Sequence, residues 1–137
     1  MPSELHFAAL FCAALAGGET EVAHVYHAAG APHRIRVDCE TPDAVIEVGL
    51  DKRSSLDSVQ QALFAAALTG KTPVVAIVDT DATEGPYELR IRTAAAMAGV
   101  EYLALAARAM APPVPRPPHR GLQAALRDTQ ASRLGRP

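Results

Sequence analysis

The sequence predicts an α/β fold: a three-layer α/β/α sandwich around a mixed central sheet. Three observations predict it. Three short alternating segments follow one another between residues 20 and 50, as in an antiparallel meander. Pro73 to Asp79 is a continuous Val/Ile-rich run, as expected for a strand buried on both faces. Helical stripes stand before and after that run, so its connections read as parallel crossovers.

The first element is a helix from Ser3 to Ala16. Ser3 is its N-cap; Leu5, Ala8, Cys12 and Leu15 recur at helical spacing, and Gly17-Gly18 stops it. Phe7 to Ala16 loosely resembles a signal peptide. However, Glu4 and the lack of Lys or Arg before it argue against that reading, and the run is far below the ~20 residues a membrane span needs. It is taken as a core helix of a cytoplasmic protein.

Thr20 to His27 alternates and is the first strand. Ala28 to Pro32 reads as a hairpin loop. Arg34 to Asp38 is the second strand, with Ile35 and Val37 facing one way and Arg34, Arg36 and Asp38 the other. Thr41-Pro42-Asp43 is a turn. In the third strand, Ala44 to Leu50, one face carries Ile46, Val48 and Leu50, the other Val45, Glu47 and Gly49. Asp57 followed by Gln60 opens a second helix, which ends at Gly70. Gly85-Pro86 opens a third, which runs to Gly99, and Glu101 to Leu105 is a last strand.

The chain of 137 residues fits one domain, and 49% hydrophobic residues support a core that excludes general disorder. With no Trp and only 4% aromatics, that core must be aliphatic and alanine-rich. Two cysteines allow one bridge at most, which excludes a disulfide-dense scaffold and a Cys-rich zinc module. Cys12 reads as core and Cys39 as a small strand residue. Residues 1–111 carry 8 basic and 14 acidic side chains. Residues 112–137 carry Arg116, Arg120, Arg127, Arg133 and Arg136 against Asp128, with six of the 11 prolines. An acidic domain therefore precedes a Pro/Arg-rich tail, in which Leu122 to Leu134 could form a short helix.

Two carboxylates carry the chemistry. Asp38 lies near the end of the second strand and Glu47 in the middle of the third. If those strands pair, the carboxylates share a site, where mutual repulsion raises one pKa unless a cation joins them. Mg²⁺ or Mn²⁺ suits such oxygen ligands and can lower the pKa of an attacking water. Glu47 also interrupts an otherwise apolar strand, which is costly without a partner. Its other reading is exposure to solvent, or pairing with Arg34 or Arg36.

The pattern Arg36-Val37-Asp38 … Pro42-Asp43 … Ile46-Glu47-Val48-Gly49, followed by a helix with Gln60-Gln61, resembles the PD-(D/E)xK nuclease superfamily. That superfamily has a restriction-endonuclease-like core of helix, three strands, helix and strand, the order read here from residue 3 to residue 79. The resemblance implies a Mg²⁺- or Mn²⁺-dependent nuclease with Asp38 and Glu47 as metal ligands. Glu4 could match the superfamily's first-helix Glu, and Gln60 or Gln61 its helix glutamine. The superfamily's Lys position holds Gly49. Lys52, then Arg53, then Arg36 are the candidates to supply that cation. The implied partner is nucleic acid, DNA first, with no membrane, and a homodimer is compatible with a domain of this size.

Two rival readings stay open. One is a nuclease-like domain that has lost catalysis and serves binding or assembly, which Gly49 favours. The other is an α/β domain without nuclease ancestry, to be expected if the second and third strands are not neighbours. Asp79 and Asp81 end a buried strand and read as loop-capping residues, and His24 and His27 are a poor metal pair. There is no GxGxxG, GxxxxGK[ST] or GxSxG segment to support a nucleotide cradle or a hydrolase elbow.

Overall fold

A computed structural model describes residues 3–51 and 56–110. Helix α1 spans Glu4–Ala13, strands β1, β2 and β3 span Glu19–Ala28, Ala31–Glu40 and Ala44–Leu50, and α2 spans Leu56–Thr69. Strand β4 (Thr72–Asp79), helix α3 (Pro86–Ala98), strand β5 (Glu101–Ala106) and the short helix α4 (Ala107–Met110) follow. The element order is the one read from the sequence, apart from α4. The tail from residue 112 and its Leu122–Leu134 segment lie outside the described residues, as do Lys52 and Arg53.

The five strands form one mixed sheet in the order β1-β2-β3-β4-β5. Strand β2 pairs antiparallel with β1 and with β3, whereas β3–β4 and β4–β5 are parallel, each joined through a helix. Alternation along the strands sends alternate residues to opposite layers. Ile46, Val48, Val74, Ala76 and Val78 pack against Phe7, Ala8 and Cys12 of α1. Val75 and Ile77 pack with Val59 and Ala62 of α2 and Ile91 and Ala95 of α3. The sheet is thus covered on both faces, which explains why β4 shows no polar alternation.

Helix ends follow local chemistry. Ser3 Oγ accepts the His6 amide at 3.3 Å, as its N-cap role requires. Helix α1 stops at Ala13, three residues before the expected end, and the chain turns tightly through Gly17 and Gly18. A Cβ at Gly18 would stand 2.4 Å from the Cys12 carbonyl oxygen, so only glycine fits there. Pro86 occupies the first turn of α3, whose Glu88 Oε1 accepts the Gly85 amide at 2.9 Å. Cys12 and Cys39, both fully buried, form a disulfide that fastens α1 to β2. The sequence allowed this bridge without assigning it.

Two corrections concern β2. The hairpin loop is the two-residue turn Ala29-Gly30, with φ of +50° and +76°, so Ala31 and Pro32 belong to the strand. Positive φ at both positions matches the twist of the flanking strands. Second, β2 meets β3 only at Cys39↔Ile46 and Glu40↔Val45, while it meets β1 along its whole length. Residues 31–37 therefore continue as a two-stranded ribbon with β1, and Pro32 is tolerated there because, among the described residues, no strand pairs with that outer edge of β2. Helix α2 braces one face of this ribbon through an edge-to-face contact of Tyr26 with Phe64, 4.8 Å between ring centres, and through Val37 against Ala65.

Candidate active site

Asp38 and Glu47 meet where β2 leaves β3. The last ladder pair before the fork is Cys39↔Ile46, so the next positions are Asp38 and Glu47. Past this point the Asp38 side chain replaces the ladder, its Oδ2 accepting the Val48 amide at 2.8 Å. Val37 packs toward α2 and Cys39 toward α1, although two residues apart on one strand they would ordinarily share a face. The change of side falls at Asp38. Across β1, Glu21 adopts a left-handed φ of +55° at the same level.

The two carboxyls face each other across the fork, and each shifts the titration of the other. Glu47 is only 3% exposed, and its Oε1 is buried without a hydrogen-bond partner among the described residues. Burial first, then the Asp38 charge and the hydrogen bond to Asp38, push the Glu47 pKa up to about 9. Burial also raises Asp38; the Val48 amide and Glu47 partly offset this, and Glu21 and Glu4 add to it. Four carboxyls thus bear on one point, and near neutrality the pair retains a proton. The sequence-stated alternatives for Glu47 do not hold: it is neither solvated nor paired with Arg34 or Arg36.

Glu4, in the first turn of α1, adds its charge to Asp38. Arg36 Nη1 donates to Glu21 Oε2 at 3.2 Å. Arg34 is exposed on the ribbon. Gln60 is exposed on α2 and lines an open depression with Val59, Leu63, Phe64 and Ala94; the electrostatic neighbours of the pair are Glu21 and Glu4 instead. Gly49 follows Glu47 at the parity that leaves the motif Lys position without a side chain.

A second acidic group lies at the C-terminal ends of β3 and β4. Ligand atoms of Asp51, Asp79, Asp81 and Glu88 all lie within 4.8 Å of one another, a spacing that could hold a metal ion. Its oxygens already serve the backbone. Asp51 accepts the Thr80 amide at 2.6 Å and the Thr80 hydroxyl at 3.0 Å. Asp79 Oδ1 accepts the amides of Asp81 and Ala82, and Asp81 Oδ1 that of Thr83. Asp79 and Asp81 thus cap their loop, as the sequence indicated. Burial, then the charges of Asp79, Asp51 and Asp81, raise the Glu88 pKa against the pull of the Gly85 amide.

Glu21, Asp51 and Glu88 were not singled out in the sequence. Asp51 and Glu88 were accessible from pattern, being the residue after a β-strand that enters a crossover and the fourth residue of Gly-Pro-Tyr-Glu. Glu21 gives no such signal, because only the hairpin register carries it to the level of Asp38.

No family model matches this chain, and neither does any curated protein or solved structure. Its α/β architecture and its acidic groups therefore stand on the geometry alone.

Proposed function

We propose that this domain is a divalent-cation-dependent nuclease that hydrolyses phosphodiester bonds at the Asp38–Glu47 pair. The observation that carries the reading is the Glu47 carboxyl, which is buried beside Asp38 at the fork and left with an Oε1 that has no partner among the described residues. A carboxyl is costly in such a place unless a charged or hydrogen-bonding ligand completes it. Carboxylate oxygens on adjacent strands are the donor type that Mg²⁺ and Mn²⁺ accept, so the residues fit the ion that the superfamily resemblance implies. Asp38 and Glu47 would hold it. Bound there, such an ion would supply a water of lowered pKa and offset charge on the phosphate.

The chain's own residues set the conditions. Glu47 would give up its proton if the pair took a cation, while the Val48 amide holds the Asp38 carboxylate in place. Glu21 and Glu4 add negative charge that favours the loaded state. The superfamily's Lys role falls to Lys52, Arg53 or Arg36. A second reading, a nuclease-like domain that binds without cutting, is favoured by Gly49.

Cleavage of plasmid, branched and single-stranded substrates with Mg²⁺, Mn²⁺ or chelator tests the reading. The expected result is metal-dependent cutting that is lost in both Asp38→Ala and Glu47→Ala. No cutting on any substrate, with both variants as inert as the parent, would support the non-catalytic reading instead.

A further inference from the structure

We propose that the exposed arginine face of the β1–β2 ribbon contacts the backbone of duplex DNA and leads it to the Asp38–Glu47 pair. The inference rests on the nuclease reading and names its substrate-contacting element. Pairing within the ribbon sets Arg36 opposite Ala23, Arg34 opposite Val25 and Pro32 opposite His27. These residues share one face. The opposite face carries Val37 and Tyr26, which α2 covers. The arginine face is left outward, with the Arg36 side chain 70% exposed and Arg34, Val25 and His27 exposed too.

Charge on this face contrasts with the rest of the domain. Residues 1–111 are acidic overall, yet the outward side chains from residue 23 to residue 36 on this face include Arg34 and Arg36 and no carboxylate, Glu21 meeting Arg36 at the foot of the stripe. The stripe also has a direction. Arg36 lies two residues before Asp38 on β2 and bonds Glu21, which the hairpin register carries to the level of Asp38. A phosphate backbone lying along Arg34 and Arg36 therefore runs into the fork. A two-stranded ribbon is one of the two elements the major groove of B-form DNA admits, whereas the deep, narrow groove of an RNA duplex excludes it.

Fluorescence anisotropy with a labelled duplex, in Ca²⁺ or chelator so that nothing is cut, tests this across a salt series. The parent should bind with affinity that falls steeply with salt. Arg34→Ala/Arg36→Ala should bind about tenfold more weakly at low salt, with a log–log salt slope shallower by about 2, as two lost phosphate contacts require. Arg34→Lys/Arg36→Lys should recover most of that slope, which separates charge from shape. Asp38→Asn should bind at least as tightly as the parent. An unchanged slope in the alanine variant, or equal affinity for an RNA duplex of the same sequence, would overturn the inference. Binding that depends on the arginines in a protein that never cuts would uphold the ribbon and reject the nuclease; cutting with an unchanged slope would do the reverse.

Discussion

At the scale of single residues, Glu47 controls the behaviour of the domain with pH. Its pKa is about 9 in the fold against 4.5 for an ordinary Glu, so between those values the folded state binds more protons than the unfolded one. Stability therefore falls as pH rises through that window, in the absence of a divalent cation. Thermal melts from pH 5 to 9 should show this decline in the parent and a shallower one in Glu47→Gln, where only the raised Asp38 and Glu88 carboxyls contribute. Mn²⁺ binding near pH 7 should also release about one proton, readable by calorimetry in buffers of different ionisation enthalpy. Glu40 behaves in the opposite sense. Burial raises its pKa, but Lys71 at 2.6 Å and His24 outweigh burial and hold it below 4.5. It contributes stability above its unfolded pKa that is lost as pH falls through the lower folded value. Lys71→Met, which leaves this 8%-exposed carboxylate short of a partner, should cost about 1.5–3 kcal/mol in urea unfolding at pH 7. The Asp38–Glu47 pair was legible because a carboxyl in an apolar strand has few explanations. The Glu40 network was not, because its partners come from β1 and from the residue just before β4, 16 and 31 residues away.

At the scale of elements, the ribbon and α1 frame the fork. The ribbon's turn places Ala29 at φ +50°, a region that costs a residue with a Cβ about 1 kcal/mol. Ala29→Gly should therefore stabilise the domain by up to about 1 kcal/mol without changing cleavage; a destabilised variant would mean the turn is not formed as described. Helix α1 carries Glu4 toward the pair and is fastened by the Cys12–Cys39 bridge, one residue from Asp38. Removing the bridge by Cys12→Ala/Cys39→Ala, or by reductant, should cost about 2–4 kcal/mol in denaturant unfolding. The bridge also bears on the cytoplasmic expectation, since disulfides persist mainly in oxidising compartments. The strands were legible as elements because their apolar residues alternate. The true start of β2 was not, because Ala31-Pro32 reads as loop chemistry and only the missing β3 neighbour makes Pro32 acceptable in a strand.

At the scale of the whole molecule, the mixed sheet follows from the order of the elements. Consecutive strands without a helix pair antiparallel, and the helices α2 and α3 enforce the parallel crossovers. That much was legible in the sequence, and it is what makes Asp38 and Glu47 neighbours. Among the described residues no helix is long and apolar enough to cross a membrane. What the sequence could not separate is the two acidic groups, at the fork and at the strand ends, since both arise from carboxylates on β-strands or just beyond them. They differ in how far the protein already satisfies them: the strand-end oxygens hold backbone amides, while Glu47 Oε1 has no partner among the described residues. The direct measurement is Mn²⁺ affinity near pH 8, read from the electron paramagnetic resonance of the unbound ion, for the parent, Glu47→Gln and Asp79→Asn/Asp81→Asn. Affinity should fall at least about tenfold in Glu47→Gln alone, with the strand-end variant binding as the parent does. Loss of binding in the strand-end variant, with Glu47→Gln unaffected, would contradict it and move the metal to the ends of β3 and β4.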